Sequence, residues 1–525
     1  MGLLEMSSDG IVQNGLLQGN RLLIVPLLLI CIWIASSYLR LRCIPGPFFA
    51  SLTNLPRLLW VRNGDAHDTH IALHRKYGHL VRFGPNMISV SDPAEIQNIY
   101  SFNGKFPKSD FYRALSFYVK GKAIPGLFAT QDENIHRLLK RPIAGMYSMT
   151  SLVSYEPMVD STIKTFFKQL DTRFVNTGRA CNLHDWLQMF AFDVIGEITF
   201  SKRLGFLEQG RDIDGIMENS WRYFSTASLI AQMPWLDYVW VKNPILQRLR
   251  TAKINPIVAF ARARRVEREK EVASGLVDIE DNTDTKSRDF LTRFMEVESK
   301  DPATPAWAVN AWATSNITAG SDTTAILLRT VFYNLVKHPL SLAALRQELD
   351  SQGADLFGEN DNDIVPWKRA ITLPYLDACI KEAGRMHPPF GLPYERVVPA
   401  GGAVISGRHI PAGTVVGISA WVVHRDYEVF GKDSDVWRPE RWIEAGEEER
   451  KRMEASLLTF GAGHRSCIGK HISYLEIYKL VPTLVGAYDI DFADGIGRDW
   501  KVDNKWFTKQ SGLNVRLKKR TVKSG

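Results

Sequence analysis

The chain has 525 residues, 45% of them apolar and 11% aromatic, and carries a formal net charge of +8. Its basic residues are dispersed and no nucleic-acid-binding motif accompanies them, so we expect no nucleic-acid partner and assign the charge to a membrane surface and an acidic protein partner. The five cysteines are widely spaced without a Cys-x-x-Cys pair, which argues against a disulfide framework and against a zinc site.

The first predicted element is a membrane span. Residues 22–39 form an uncharged, mainly apolar run that extends about 27 Å as a helix, enough to cross a bilayer. The run is longer than the apolar part of a typical signal peptide and no clear cleavage site follows it, so we expect a retained anchor. Residues 1–20 contain no Lys or Arg, whereas Arg40 and Arg42 follow the span. The positive-inside rule therefore predicts a lumenal tail over residues 1–21 and a cytosolic remainder.

A stiff connector follows the span. The basic, proline-rich segment 40–50 contains Pro45-Gly46-Pro47, which cannot continue a helix and predicts a hinge. No internal repeat is evident, and the one strongly polar stretch, residues 278–288, is typical of a surface loop. We therefore expect a single globular domain over residues 51–525.

Helical periodicity dominates between about residues 130 and 390. Strand-like segments occur near residues 79–92 and over residues 397–416, where Gly and Pro interrupt β-branched residues. The expected fold class is mainly α with minor β sheets. One long helical pattern runs from about Pro305 to Val336.

Three groups of residues on the predicted helices stand out. His136 and Lys140 lie four residues apart and share a helix face, as do Glu382 and Arg385, whose spacing suits an ion pair that on its own is a weak signal. Residues 319–324, Ala-Gly-Ser-Asp-Thr-Thr, combine small residues with an acid and two alcohols inside the long helix. Small residues alone would favour close helix packing, whereas an acid beside an alcohol favours proton delivery.

A glycine-rich loop near the C-terminus surrounds one cysteine. Residues 460–469, Phe-Gly-Ala-Gly-His-Arg-Ser-Cys-Ile-Gly, place Cys467 beside His464 and Arg465. Cysteine binds metals as the thiolate, which nearby cations favour, and the glycines permit close approach of a flat ligand. A buried free cysteine in a turn is the alternative. A dinucleotide-binding fingerprint is excluded because Ser466 replaces its third glycine and no βαβ pattern surrounds it.

The order Phe-x-x-Gly-x-Arg-x-Cys-x-Gly over residues 460–469 resembles the signature of the cytochrome P-450 superfamily. Residues 319–324 resemble that family's oxygen-activation motif, and Pro439-Glu440-Arg441 its Pro-Glu-Arg segment. The resemblance covers roughly Pro45 to the C-terminus. The order His424-Arg425-Asp426 and then Pro-Glu-Arg-Trp, with Gly401-Gly402 and residues 410–414, looks most like microsomal members of filamentous-fungal secondary metabolism. The resemblance implies the cytochrome P-450 fold, a helix-rich triangular prism with minor sheets, behind an N-terminal transmembrane helix.

The resemblance also implies a cofactor and its contacts. Haem b would be held by Cys467 as the axial thiolate ligand and metal ligand, and Asp322 and Thr323 would deliver protons to the dioxygen being reduced. Further residues are expected at the haem or its carboxylates: Phe460, Arg465, Arg396, His136 and Lys140. His136 and Lys140 depart from the Trp-x-x-x-Arg that the family often has.

Two further sets of residues follow from the resemblance. Glu382, Arg385 and Arg441 would form a structural triad that locks the cysteine loop. The substrate-pocket candidates follow from their positions relative to the motifs: Phe111, Ser315, Ala319, Phe390, Leu392 and Phe507.

The implied activity is a monooxygenase that hydroxylates, epoxidises or desaturates an apolar small molecule in a secondary-metabolite pathway. No flavin or nicotinamide motif is present, so electrons would come from an NADPH-dependent flavoprotein reductase, with cytochrome b5 as an optional second donor. The enzyme would be a single-pass protein of the endoplasmic reticulum membrane with a cytosolic catalytic domain. Two alternatives stay open: a reductase-independent haem-thiolate isomerase or dehydratase, and a non-enzymatic haem sensor.

Overall fold

The computed structural model describes residues 31–116, 118–119, 122–249, 255–278, 288–356, 364–495 and 499–521, together with Val25, Leu28 and Leu29. Within these residues, the helices of eight or more residues are α1 Leu55–Asn63, α2 Ala66–Tyr77, α3 Glu133–Lys140, α4 Glu156–Leu170, α5 Leu183–Phe200, α6 Ile216–Ala231, α7 Pro256–Ala273, α8 Phe290–Lys300, α9 Ala308–Lys337, α10 Pro339–Ser351, α11 Pro374–Met386, α12 Glu447–Ala455 and α13 Lys470–Ala487. Shorter helical turns connect them: Phe48–Leu52, Glu95–Ile99, Phe111–Ala114, Met149–Leu152, Phe206–Gln209, Pro244–Leu249, Trp367–Ala370, Ala420–Val423, Tyr427–Phe430 and Arg441–Glu444.

The strands are short and lie at the periphery of the helices. They are β1 Leu80–Gly84, β2 Met87–Val90, β3 Tyr118–Val119, β4 Lys122–Ala123, β5 Cys181–Asn182, β6 Arg396–Val397, β7 Ala403–Ile405, β8 Arg408–Ile410, β9 Val415–Ile418, β10 Tyr488–Phe492, β11 Lys501–Asn504, β12 Thr508–Ser511 and β13 Asn514–Lys519. The largest sheet has the order β1-β2-β9-β6, with β2 and β9 parallel and the other pairs antiparallel. A second sheet, β10-β13-β5, is antiparallel.

The core is built around α5 and α9. Most side chains of both helices are buried, polar ones included, as expected of helices at the centre of a large protein. Gly320 lets them approach closely, because a Cβ atom there would lie 3.0 Å from two side-chain carbons of Ile195. The two helices thus form the rigid support on which the candidate site is built.

The structure confirms the expected fold class, mainly α with minor β sheets. The strand-like segments near residues 79–92 and 397–416 form β1, β2 and β6 to β9, and the long helical pattern is α9. The C-terminal strands β10 to β13 and their partner β5 were not predicted. Within the predicted polar loop, residues 279–287 lie outside the described residues.

At the N-terminal end, no helix among the described residues is both long and apolar enough to cross a bilayer. Residues 22–24, 26, 27 and 30 of the predicted span lie outside the described residues, and residues 31–40 are helical. The connector packs against β1, because Arg82 donates its backbone N–H to the Pro45 carbonyl at 2.7 Å. A Cβ atom on Gly46 would lie 2.0 Å from the Arg82 carbonyl oxygen, so only glycine fits there.

Candidate active site

One face of α9 is accessible although the rest of the helix is buried. Ala319 is exposed, and Ser315 and Thr323, one turn to either side, are half-buried. Positions four residues apart lie on one helix face, so the three form a continuous strip. The side chains of Ile317 and Ser321 between them are fully buried. The strip is therefore the accessible part of an otherwise mainly buried helix.

The hydroxyl of Thr323 lies on this strip and donates to the Ala319 carbonyl at 2.7 Å. The helix runs through the motif without a break. Gly320 is partly exposed, and a Cβ atom on it would meet Ile195 of α5. The small residues of the motif therefore serve helix packing in part, as their composition alone suggested.

Asp322 lies on a different side of α9, turned toward α5 and α6. Gln188 Nε2 donates to its Oδ1 at 2.5 Å, and Ser220 Oγ donates to its Oδ2 at 3.0 Å. Burial raises the pKa of Asp322, while the Lys509 ammonium, these hydrogen bonds and the Arg329 guanidinium act in the opposite direction. The carboxyl group is thus buried and held by defined partners beside the accessible strip.

The cysteine loop is closed by a backbone hydrogen bond from Cys467 to the Phe460 carbonyl at 2.8 Å. Gly463 has φ +65°, and a Cβ atom on it would lie only 1.6 Å from the Tyr100 carbonyl oxygen, so no other residue fits. The ring of Phe460 lies edge-on to Tyr474, with the centroids 5.1 Å apart. These contacts fix the loop to the segment around Tyr100 and to α13, which carries Tyr474.

The side chain of Cys467 is accessible. Its sulfur lies close enough to the buried Tyr147 and Tyr394 for a thiolate there to raise the pKa of both hydroxyl groups. Burial raises the pKa of its thiol, while backbone N–H groups of Gly469 and Lys470 and a nearby Lys140 ammonium lower it. Backbone N–H groups and cations around a sulfur stabilise the thiolate, which is the form that ligates iron. An accessible cysteine with these neighbours fits an axial haem ligand.

Helix α3 is fastened to the cysteine loop by its charged residues. Arg465 donates to the Glu133 carboxylate at 2.7 Å and to the Thr130 carbonyl at 3.1 Å. His464 contacts the same carboxylate at 3.0 Å, and Lys140 Nζ donates to the His464 carbonyl at 2.7 Å. Asp132 caps the start of the helix through its side chain. Arg465, Lys140 and the cysteine therefore lie in one cluster.

Burial, together with the surrounding cations Arg465, Lys140 and Lys108, lowers the pKa of His136 to about 3. Its imidazole is therefore neutral at physiological pH. Among the predicted haem partners, His136 can contribute a hydrogen bond but no positive charge.

Lys108 is a member of this cluster that the sequence did not reveal. It pairs with Arg396 through an isolated β-bridge, and both side chains are buried. Burial lowers the pKa of Lys108 well below its ordinary value, as do Arg396 and Arg465, and Glu133 is the carboxylate that opposes them. The guanidinium groups of Arg396 and Arg465 fit the two carboxylates of haem, for which arginine is a suitable partner.

The three residues of the predicted triad lie together. Glu382 is fully buried and receives two hydrogen bonds from Arg385, both at 2.8 Å, and one from Arg441 Nε at 3.0 Å. Trp442 Nε1 and the Arg438 backbone N–H donate to the same carboxylate, at 2.9 and 3.0 Å. Five donors therefore converge on one carboxylate.

His424 connects this triad to the cysteine loop. Its Nε2 accepts from the Leu458 backbone N–H at 2.7 Å, so its Nδ1 carries the proton and donates to the Arg385 carbonyl at 3.0 Å. Next to Leu458, the hydroxyl of Thr459 donates to the Gly384 carbonyl at 2.9 Å. The sequence marked His424 only as part of a motif, without this role.

The aromatic pocket candidates pack against one another. The ring centroids of Phe390 and Phe507 lie 5.5 Å apart. The Phe390 ring lies 4.9 Å from Trp506, and the Phe507 ring lies 4.7 Å from Phe224. Phe111 joins the cluster through Trp506 at 5.0 Å. Leu392 belongs to the same buried core, whereas Ser315 and Ala319 lie on the accessible strip of α9. Trp506 and Phe224 were not among the sequence candidates.

Comparison with known proteins gives a consistent assignment. The family profile described as Cytochrome P450 matches residues 45–512. The chain is 56% identical to a cytochrome P450 monooxygenase of Aspergillus terreus, covering 93% of this chain and 98% of that protein. It is 52% identical to cytochrome P450 monooxygenase cicH of Emericella nidulans, covering 94% and 97%, and 47% identical to cytochrome P450 monooxygenase pkfB of the same species, covering 95% and 96%. The chain therefore belongs to the cytochrome P450 family of monooxygenases, which use haem b with an axial cysteine thiolate.

Proposed function

We propose that this protein is a membrane-anchored monooxygenase of a fungal secondary-metabolite pathway, which oxidises an apolar small molecule with electrons from an NADPH-dependent flavoprotein reductase. The accessible Cys467 thiol, with backbone N–H groups directed at its sulfur, is the observation that carries the proposal. The fungal source of its relatives supports the pathway assignment.

Each part of the site has a proposed task. Haem, when bound through Cys467, supplies the chemistry that activates dioxygen and inserts one oxygen atom into the substrate. Arg465, Arg396 and Lys140 would hold its carboxylates by charge, and the neutral His136 by a hydrogen bond. Phe460 would pack beside it.

The substrate would be held by apolar side chains. Phe111, Phe390, Leu392 and Phe507 form an apolar wall without charged groups of their own. Ser315 and Ala319 would line the side formed by α9. Such a lining orients an apolar molecule by shape and leaves few polar groups to be desolvated.

Asp322 and Thr323 are proposed to supply protons to the oxygen-activation step. Asp322 is buried beside the accessible strip and Thr323 lies on it, so a proton can pass from a protected carboxyl group to the space where dioxygen is reduced. A hydroxyl both accepts and donates hydrogen bonds, which suits Thr323 to the last position of such a relay.

Replacing Thr323 by alanine tests this role. Because general acid–base groups typically contribute about 10²–10⁴-fold, we expect product formed per NADPH consumed to fall at least ~10-fold while hydrogen peroxide rises. The assay is a microsomal reconstitution with added reductase and NADPH. Thr318→Ala is the matched control, since Thr318 makes the same type of hydrogen bond to the carbonyl four residues earlier but is buried.

Two outcomes would contradict the proposal. An unchanged product yield per NADPH in Thr323→Ala would exclude this residue from proton delivery. Product formation from an oxygenated lipid without NADPH and reductase would favour the isomerase or dehydratase alternative.

The proposed membrane anchor comprises residues 22–39, with residues 1–21 in the lumen of the endoplasmic reticulum and the catalytic domain over residues 51–525 in the cytosol. Large apolar side chains are exposed at two places that would face the same bilayer: Leu28, Leu29, Ile32, Trp33, Phe48 and Phe49 near the N-terminus, and Trp235, Trp240, Ile245 and Leu249 beyond α6. Exposed apolar patches of this kind mark membrane or protein contacts.

Cell fractionation tests the anchor. The full chain should sediment with microsomes and resist extraction by high salt or alkaline carbonate, because an apolar helix is held by the hydrophobic effect and not by charge. A chain that lacks residues 1–39 should become extractable by salt. Extraction of the full chain by salt alone would contradict a transmembrane anchor.

A further inference from the structure

A buried polar network holds the carboxylate of Asp322. Gln188 on α5 donates to Asp322 Oδ1 at 2.5 Å and accepts from Arg329 Nη2 at 2.7 Å through its own Oε1. Arg329 lies two turns after Asp322 on α9, and its Nε donates to the His184 carbonyl at 2.8 Å. All three side chains of this chain of contacts are buried.

The direction of the Gln188 amide follows from its neighbours. A guanidinium group can only donate hydrogen bonds, so the amide oxygen of Gln188 must face Arg329 and its NH₂ group must face Asp322. Ser220 occupies the second oxygen of Asp322 as a donor. Both oxygens of Asp322 thus accept hydrogen bonds, an arrangement that suits the ionised carboxylate.

The cations around Asp322 also lower its pKa and so favour its ionised form. Arg329 and Lys509, which lies on β12, are the cations that act on it. Burial lowers the pKa of Arg329 to about 10, a value at which the guanidinium is still charged at physiological pH. Asp185 on α5 acts on both Arg329 and Lys509. The Gln188 amide therefore lies between the Asp322 carboxyl group and the Arg329 guanidinium in one buried network.

We propose that Gln188 and Arg329 are positioning residues for proton delivery: the Gln188 amide, oriented by Arg329, holds the Asp322 carboxylate in place beside the accessible strip. The inference rests on the proposed role of Asp322 as a proton relay, whose carboxylate must be ionised to accept each proton that it passes on, and adds the residues that orient that carboxylate. Neither residue lies on the accessible strip, so neither acts on the substrate directly.

Two variants separate the hydrogen bond from packing. Gln188→Leu removes the amide, and Gln188→Glu keeps its size and the contact to Arg329 but replaces the NH₂ donor. Both changes remove a hydrogen bond to the ionised form of Asp322, so its pKa must rise. Because a hydrogen bond to a charged group contributes the equivalent of about one pH unit or more, we expect that shift in its titration midpoint.

The titration is read in two ways. The first is the carboxylic C=O stretch in the infrared spectrum of the resting holoenzyme as a function of pH, assigned to Asp322 by its loss in Asp322→Asn. The second is the acid limb of product formed per NADPH in the reconstituted system, which should move to higher pH together with the infrared midpoint. Gln232→Leu is the matched control, because Gln232 is also buried but its amide binds the Ser228 carbonyl.

Each outcome supports or overturns the inference. A shift of about one pH unit in both Gln188 variants, with the reduced carbon monoxide spectrum unchanged and the control unshifted, supports it. If Asp322→Asn lowers the product yield but the Gln188 variants leave the midpoint and the acid limb unchanged, the inference is wrong and the proton role of Asp322 stands. If Asp322→Asn leaves the yield unchanged, both are wrong.

Discussion

Replacing Cys467 by alanine should give a folded protein that has lost its monooxygenase activity and every thiolate feature of its haem spectrum. Alanine has no atom that can ligate iron, and no other cysteine lies in the glycine-rich loop of residues 460–469. The thiolate is also what favours O–O bond cleavage, so retained haem would not restore the activity. The readouts are reductase-dependent product formation and the reduced carbon monoxide difference spectrum.

The matched control for this variant is Cys43→Ala, because Cys43 is likewise an accessible free cysteine but lies in the N-terminal connector. It should keep both the spectrum and the activity. Circular dichroism should show the same helix content in both variants. A thiolate-type spectrum that persists in Cys467→Ala would mean that a different cysteine ligates the iron.

The Glu382→Ala variant should lose about 3–5 kcal/mol of stability, the typical cost of removing one partner from a buried ion pair. Arg385 and Arg441 are both buried: Arg385 would lose the carboxylate that neutralises it, and Arg441 would keep only its contact with Asp433 at 3.1 Å. The hydrogen bond from Trp442 would be lost as well. We expect a much lower midpoint in urea denaturation, and loss of haem from the protein, since His424 links Arg385 to the cysteine loop.

The dependence of this effect on pH follows from the pKa of Glu382. Burial alone would raise it, but Arg385 and Arg441 hold it below its ordinary value. A carboxyl group with a lowered folded-state pKa contributes its stability above its unfolded pKa, and the contribution disappears as the pH falls through the folded value. The difference between the wild type and Glu382→Ala should therefore be full at neutral pH and shrink in acid.

Glu208→Ala is the matched control for the triad. Glu208 pairs with Arg203 at 2.9 Å, but its side chain is 42% exposed, so water replaces the lost contact. Exposed pairs contribute about 0–1 kcal/mol, and the denaturation midpoint should hardly move. Equal falls in the denaturation midpoint for Glu382→Ala and Glu208→Ala would show that the triad stabilises the protein no more than an exposed ion pair does.

The parts of the fold and site that consist of one contiguous segment were predictable from the sequence. The glycine-rich loop around Cys467 and the helix that carries Asp322 and Thr323 are each a contiguous segment, whose residue types and spacing indicate its chemistry. Helical periodicity is likewise a local property, and α9 begins and ends within a few residues of its expected bounds. The four-stranded sheet was foreseen as strands because β-branched residues alternate with Gly and Pro there.

Contacts between distant segments were not predictable in the same way. Lys108 meets Arg396 only through an isolated β-bridge, and Gln188 meets Asp322 only because α5 crosses α9 at Gly320. The C-terminal sheet was missed because β10 and β13 carry many charged residues, and their pairing with each other defines them more than their apolar pattern does. One sequence contains no direct signal for such pairings.

The reduced carbon monoxide difference spectrum of the wild-type holoenzyme, expressed in microsomes, tests most directly whether Cys467 binds haem iron as a thiolate. We expect the red-shifted Soret band of a thiolate-ligated, carbon monoxide-bound haem, present in the wild type and absent in Cys467→Ala. A folded wild-type protein that binds haem but shows no such band would contradict thiolate ligation.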